Sequence, residues 1–353
     1  QLGSLLSVYG VVALLSYIYG GVITDRYSPR KLMSSALFLT SLGGLVLASY
    51  PSYLTLQILY GYWGFTSVFL FWGAMIKATR LWGGDSNQGK AFGLLDGGRG
   101  AVAASMGSIG VFIFSIILTK DIESASILER QEAFRYVILF SSFMVALIGF
   151  LVLIFLRNSD EKNSTVQSSL NSLTNIKNVL KNESIWLLML IIMCAYVGYK
   201  VTDIYSLYAS EILLFDEIEA SEVGALQLYL RPIVCIAIAL LADKTKNLFW
   251  IIFGFIIMLI GAVIFSTGFI KANMNVIFFL SLVVLAVGTY SIRALYFAVL
   301  KEAKVPFALT GTAVGLISVV GYSPDIFAGP MIGYLLDENP GIIGHLYVYF
   351  MLV

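Results

Sequence analysis

Long apolar runs broken by short polar stretches set the pattern of this chain. A helix needs about 20 apolar residues to cross a hydrocarbon core about 30 Å thick. Runs near 2–24, 32–50, 52–80, 91–118, 133–156, 184–211, 220–242, 248–268, 274–300 and 309–335 each meet that requirement, and a partial run follows from about 343 to Val353. Runs such as 52–80 exceed the bilayer and predict tilt or protrusion. The longest polar stretch, Arg157–Glu183, reads as a cytoplasmic linker. The expected organisation is therefore an N-terminal helical bundle over 1–156, a linker over 157–183 and a C-terminal bundle over 184–353. The chain opens on Gln1 inside one span and stops inside another. A helix is expected to be missing at the front and part of one at the back.

Composition agrees with an all-α, polytopic membrane protein. Hydrophobic residues make up 59% and charged residues 12%, with mean hydropathy +0.88. A soluble domain carries about a quarter charged residues, so a dissolved compact monomer is excluded. The net charge of +1 offers no field for nucleic acid. Cys194 and Cys235 lie inside apolar runs, which implies no disulfide framework. Abundant glycine with scarce proline suits closely packed membrane helices. The sequence contains no His/Cys/carboxylate cluster of metal-ligand spacing, no Gly-rich loop leading to Lys-Ser/Thr and no Ser-His-Asp set, so no metal or cofactor is called for.

The cations set the orientation. One side carries Arg26, Arg30, Lys31, Lys77, Arg80, Lys90, Arg157, Lys162, Lys177, Lys181, Lys244, Lys246, Lys301 and Lys304. The other carries Lys120, Arg130, Arg135 and Lys271. The first side is therefore cytoplasmic. An acidic outer stretch (Glu211, Asp216, Glu217, Glu219, Glu222) reads as a solvated face.

Seven charges remain inside spans: Arg99, Lys200, Arg231, Arg293, Asp96, Asp203 and Asp325. Each costs at least a few kcal/mol in hydrocarbon and should face a cavity or a partner. At about 1.5 Å per residue, Arg99 lies roughly 13 Å beyond Lys90, Arg293 roughly 12 Å in from Lys301 and Arg231 roughly 18 Å in from Asp243, all near the midplane. Lys200, Asp203 and Asp325 lie in the outward half. Asp96 with Arg99, and Lys200 with Asp203, are three apart and predict pairs along one helix face; Asp325 is the alternative partner for Lys200. Gly93, Gly97, Gly100, Gly107 and Gly110, like Gly311, Gly315 and Gly321, predict close helix packing. His345 is expected to be incidental.

The chain also repeats itself. Gly21-Val-Ile-Thr-Asp25-Arg26-Tyr-Ser-Pro-Arg30-Lys31 has a shorter echo in Ala239-Leu-Leu-Ala-Asp243-Lys244-Thr-Lys246. Two similar helical halves joined by a linker form a transporter plan, with a site near midplane between the halves. The pattern Gly-x-x-x-Asp-Arg-x-x-x-Arg-Lys resembles the signature of the major facilitator superfamily. That resemblance implies two six-helix bundles, here helices two to twelve, with helix 1 and the end of helix 12 lacking. It also implies a gating role for Asp25, Arg26, Arg30, Asp243 and Lys244, with a carboxylate such as Asp25 meeting a helix N-terminus.

Lys77-Ala-Thr-Arg80-Leu-Trp82 and Gln88-Gly89-Lys90-Ala-Phe-Gly93-Leu-Leu-Asp96-Gly97-Gly98-Arg99 are similar to the organophosphate:phosphate antiporter branch. Asp96 stands at that branch's Asn, and Arg99 stands at its substrate-facing His. The branch's helix-seven Arg falls nearer Gly198, with Lys200 displaced. The stretches Gly97-Gly98-Arg99-Gly100 and Tyr322-Ser323-Pro324-Asp325 look more like an uncharacterised bacterial offshoot of the branch.

The leading expectation is a monomeric secondary transporter in a bacterial inner membrane that moves a small organic anion (phosphorylated, sulfonated or carboxylated) by alternating access. Its substrate residues are Arg99, Arg231, Arg293, Asp96 and Lys77, with Lys200, Asp203 and Asp325 closing the outward side. A coupling ion or a counter-anion completes the partners, besides the lipid bilayer. The alternative is a non-transporting sensor of similar fold, or a membrane-embedded enzyme using Asp96, Asp203 or Asp325.

Overall fold

The computed structural model describes residues 2–118, 125–157 and 172–353. Lys120 and the 158–171 part of the expected linker, Lys162 included, lie outside the described residues. No strand occurs among the described residues, and ten helices there are long and apolar enough to cross a membrane. Each complete span expected from the sequence is one of them. They are α1 (Leu2–Arg26), α2 (Pro29–Ala48), α3 (Tyr53–Gly83), α4 (Gln88–Ile117), α5 (Ile127–Phe155), α7 (Glu183–Ile212), α8 (Glu217–Ala242), α9 (Asn247–Ser266), α10 (Asn275–Leu295) and a tenth over Phe307–Glu338. The tenth consists of α11 (Thr310–Gly321) and α12 (Pro324–Glu338). A short α6 (Ser172–Leu180) forms within the polar linker, and α13 (Ile342–Phe350) follows α12.

The polar breaks stop and start these helices. Ser28 caps α2 ahead of Pro29, whose missing N–H costs nothing at a first helical position. Ser126 with Glu129 and Asp216 with Glu219 form reciprocal capping boxes at α5 and α8. The acidic outer stretch is thus more than a solvated face, because Asp216 and Glu219 start a helix. Three spans are not regular. A π segment, Phe65–Trp72, lies inside α3, a 3-10 turn, Thr202–Ile204, interrupts α7, and Tyr322–Ser323 separate α11 from α12.

The chain divides into two compact units by its contacts. The first comprises residues 1–81, 104–182 and 305–319. In it α1 packs on α3 and α2 packs on α5. Gly21 and Gly311 bring α1 and α11 backbone to backbone, since a Cβ on either would strike the other's carbonyl oxygen. The second comprises residues 82–103, 183–304 and 320–353. There α9 packs on α10, α8 on α10, α12 on α7 and α13 on α9. Each unit joins segments from both sides of the linker, so contacts divide the chain differently from the division at 157–183.

Candidate functional site

Within the second unit, four of the seven in-span charges meet. The Asp96 carboxylate is buried in α4. Arg231 of α8 binds both of its oxygens, Nη2 donating to Oδ1 at 2.6 Å and Nε to Oδ2 at 3.2 Å. Such a forked, charge-assisted pair is the strongest arrangement the two groups can make. Arg99 Nη1 lies 3.5 Å from Oδ1 and Arg293 Nε lies 3.9 Å from Oδ2. The Cys235 thiol donates to Oδ2 at 3.4 Å. Three guanidinium groups thus share one carboxylate, leaving a surplus of two positive charges.

The helices meet here because of the small residues on α4. A Cβ at Gly97 would stand 3.3 Å from the Cys235 Cβ, and one at Gly100 would stand 3.1 Å from the Arg231 side chain. Gly93 likewise faces Ala239. The glycine pattern read from sequence accounts for this packing at Gly93, Gly97 and Gly100, whereas Gly107 has nothing within 4 Å.

Arg293 is the least satisfied member of the cluster. It is buried in α10, and its Nε and Nη1 have no hydrogen-bond partner among the described residues. Its guanidinium lies 3.8 Å from the centre of the Tyr199 ring and 5.5 Å from that of Tyr196. Cation–π attraction holds the charge there without using its donors. Neither tyrosine was singled out as a site residue from sequence. Their spacing beside Lys200, Tyr196-x-x-Tyr199, was the available signal, since i and i+3 share a helix face.

Lys200 pairs with Asp325 at 2.7 Å, and Tyr196 Oη donates to both oxygens of Asp325 at 3.1 Å. Of the two partners expected for Lys200, the structure selects Asp325. Asp203 makes no ion pair within 4 Å among the described residues and lies in the 3-10 turn Thr202–Ile204.

The first unit holds a different carboxylate. Asp25, near the end of α1, accepts from Gly311 N at 2.6 Å, from Thr312 N at 2.8 Å and from Thr312 Oγ1 at 2.6 Å. It sits on the N-terminus of α11, as expected for a negative charge at the positive end of a helix dipole. Arg80, counted above as a cytoplasmic cation and quoted in the stretch Lys77-Ala-Thr-Arg80-Leu-Trp82, is buried. Its Nη1 donates to Thr310 Oγ1 at 2.7 Å and its Nη2 to Val305 O at 2.5 Å, over the ring of Phe307. Lys77, expected among the substrate residues, donates to Thr24 O at 2.7 Å and Asp25 O at 3.4 Å, at the carbonyl end of α1.

In the second unit Asp243 repeats the arrangement. Its Oδ1 accepts from Lys90 N at 2.9 Å in the first turn of α4, while its Oδ2 is buried without a hydrogen-bond partner among the described residues. Arg26 and Lys244 are exposed and Arg30 is half-buried. His345, expected to be incidental, is fully buried and bonded to Glu211 at 2.9 Å.

The model of the Major Facilitator Superfamily matches residues 1–336. The inner membrane protein YqcE of Escherichia coli (strain K12) is 28% identical over 349 residues, covering 96% of this chain and 79% of that protein. The inner membrane protein YihN of the same organism is 26% identical over 360 residues, covering 99% and 82%. Among solved structures, a variant of the E. coli fucose:proton symporter FucP superposes with a TM-score of 0.75 at 15% identity, over 100% of this chain and 88% of that one. The human organic anion transporter MFSD10 (TETRAN) does so with a TM-score of 0.66 at 13% identity, over 99% and 82%. At such identities the likeness shows the fold alone. One of these two proteins is a fucose symporter and the other an organic anion transporter, so the fold does not choose a cargo.

Proposed function

The chain belongs to the major facilitator superfamily and is a secondary transporter, and from that premise we propose that its cargo is a small organic anion carried by alternating access. The protein is a multi-pass protein of the bacterial inner membrane. One observation carries the choice of an anion: three arginines converge on the single buried carboxylate of Asp96, and Arg293 keeps buried donors without acceptors. Arg231 and Arg293 are largely withdrawn from water while Arg99 is exposed, and withdrawn guanidinium groups in excess of their carboxylate cost free energy unless a negative ligand completes them. Phosphate, sulfonate and carboxylate oxygens fit the guanidinium fork. In the empty site Asp96 stands in for that ligand and holds the arginines apart from one another, then yields part of them to the cargo.

The remaining charges serve gating in this reading. Asp25 and Asp243, with Arg26, Arg30 and Lys244 around them, make and break caps on α11 and α4 as the cytoplasmic side closes and opens. Lys200 and Asp325, with Asp203 beside them, do the same on the outward side. Lys77 holds the end of α1 and is assigned to the gate rather than to the cargo. The bundles are residues 1–156 and 184–353, working as a monomer, and a counter-anion or a coupling ion returns the carrier.

The test is a thermal-shift screen of phosphorylated, sulfonated and carboxylated metabolites on the full chain, followed by proteoliposome uptake of those that stabilise it. Anions are expected to stabilise wild type and to lose that effect in Arg293→Gln. A neutral sugar carried equally well by wild type, Arg99→Gln and Arg293→Gln would sink the anion reading.

A further inference from the structure

The arginine cluster does not end the polar surface of the second unit. From Arg293 the polar groups continue through the rings of Tyr199 and Tyr196 to Asp325, which holds Lys200 at 2.7 Å and the Tyr196 hydroxyl at 3.1 Å. Asp203 lies within electrostatic reach of Lys200, Arg293 and Asp325. The charges at this far end run opposite to those at the near end. Around Asp96 the sum is two positive charges; around Asp325 it is one negative, since Asp203 and Asp325 outnumber Lys200.

Three observations mark this end as lining an opening rather than packed interior. The Asp325 side chain is 43% exposed and that of Lys200 26%, and both belong to helices read as crossing the membrane. A charge left exposed at that depth must meet water, because hydrocarbon does not tolerate it. Both helices are also broken beside the pair, α7 at Thr202–Ile204 and the tenth span at Tyr322–Ser323. Irregular backbone within a bilayer is tolerated where it lines a cavity, and such breaks recur at the substrate sites of transporters. Finally, Tyr196 is only half-buried and its hydroxyl joins the exposed Asp325 carboxylate, whereas the Tyr322 ring edge-on to it is buried behind, with its hydroxyl 2.9 Å from that of Tyr296.

We propose that the site is bipolar, and that its cargo is an anion whose opposite end carries hydrogen-bond donors, hydroxyl or ammonium, received by Asp325 and Asp203. The inference rests on the anion reading above and adds the second end of the molecule. The donor-bearing end takes up lone pairs of Asp325 that Lys200 and Tyr196 leave over. A carboxylate has about four such lone-pair sites, so a donor adds to the Lys200 bridge without displacing it. The cargo's length then reaches from the arginines to the pair assigned to outward closure, so one molecule contacts both.

The test uses nine probes on the full chain in detergent: phosphate, sulfonate and carboxylate heads, each on a six-carbon chain ending in methyl, hydroxyl or ammonium. Dissociation constants are read by calorimetry. For at least one head group the hydroxyl or ammonium tail is expected to bind about tenfold tighter than the methyl tail, on the scale of one hydrogen bond to a charged group. Ammonium ahead of hydroxyl would make the cargo a zwitterion, and the reverse order a polyhydroxylated anion. Asp203→Asn and the paired change Lys200→Met/Asp325→Asn, which leaves no stranded charge at the pair, should bring the three tails within about twofold of one another. Methyl-tailed probes binding as tightly as the others would overturn the second pole while leaving the anion reading in place. So would a tail preference that survives both variants. No binding by any of the nine would overturn both.

Discussion

Asp25 and Asp96 are the same residue type on helices of the same membrane protein, yet they are satisfied in opposite ways. Asp25 takes its hydrogen bonds from two backbone N–H groups and one hydroxyl at the start of α11. Those donors are fixed by the helix and leave it no competing anion to welcome. Asp96 takes its partners from three arginine side chains that carry more charge than it can cancel. A carboxylate held by a helix end makes a latch, which is either engaged or not. A carboxylate surrounded by surplus guanidinium groups makes a seat that a second anion can share. In the proposed reading, the kind of donor, helix-end amides at Asp25 against side-chain guanidinium groups at Asp96, separates the gate from the binding site.

The sharpest way to break that comparison is to remove the surplus. Arg293→Gln deletes a charge whose Nε and Nη1 have no acceptor among the described residues and whose Nε sits 3.9 Å from Asp96, outside hydrogen-bond range. Anion affinity should fall by roughly tenfold to a hundredfold, the worth of one charge-assisted bond at about 1.5–3 kcal/mol. Arg293→Lys keeps the charge and loses the fork, so it should fall nearer tenfold. The check is a set of dissociation constants beside melting temperatures. If Arg293→Gln melted far below wild type and bound anions normally once cooled, Arg293 would belong to the packing and not to the seat.

The latch predicts the converse split. Asp25→Asn keeps one carbonyl oxygen for the α11 amides but presents an NH2 group to donors that need an acceptor. Transport is expected to slow by about tenfold, on the scale of one or two hydrogen bonds lost at about 1 kcal/mol each, while anion binding in detergent stays within twofold. Flux into proteoliposomes set against dissociation constants measures this. A variant that bound poorly and cycled at the normal rate would reverse the two roles.

A smaller effect is expected at the Lys200–Asp325 pair. Lys200→Met strands Asp325 with only the Tyr196 hydroxyl, and the partly exposed setting keeps the penalty to a few-fold in transport rate. Adding Asp325→Asn should recover part of that loss, because the stranded charge goes too. Additive losses in the double variant, measured as a double-mutant cycle on uptake, would count against coupling of the pair.

Most of the fold was legible in the sequence because length and apolarity alone decide a membrane span, and every complete span expected from sequence is a helix. The helix caps at Ser28 and Asp216 went unread, and the acids around Asp216 read only as a solvated face although Asp216 and Glu219 start a helix. The candidate site was legible in part. Depth arithmetic placed Arg99, Arg231 and Arg293 at one level, but it carries no information about which way a side chain faces around its helix. Lys77 therefore entered the substrate set on sequence grounds although its ammonium lies on the carbonyls of Thr24 and Asp25. Arg80 was counted only toward the cytoplasmic side, which says nothing of its burial against Val305 and Thr310. The rings of Tyr196 and Tyr199 under Arg293, and Glu211 beside His345, join residues far apart in sequence. Only packing brings such pairs together.

The smallest expected effect tests whether the internal repeat is a repeat of function. Asp243 copies Asp25 at the start of α4, but only one of its oxygens is used, accepting from Lys90 N at 2.9 Å, against three bonds at Asp25. Its second oxygen and the Asn247 Oδ1 are both buried acceptors without a donor among the described residues. Asp243 Oδ1, the bonded oxygen, and Asn247 Oδ1 crowd the Cβ position of Gly89, at 2.8 Å and 2.6 Å. Asp243→Asn keeps one oxygen for Lys90 N and brings an NH2 into surroundings that hold an unused acceptor. The loss from the missing charge at the helix start, about 0.3–1 kcal/mol, is then offset in part by a new hydrogen bond. Transport should slow by no more than about twofold to threefold, well short of Asp25→Asn. Gly89→Ala gives the complementary handle. A Cβ there pushes on Asp243 and Asn247 together, so it should slow transport more than Asp243→Asn does. Equal, tenfold losses in Asp25→Asn and Asp243→Asn would mean that the two latches carry the same load, and that the count of hydrogen bonds is not what sets it.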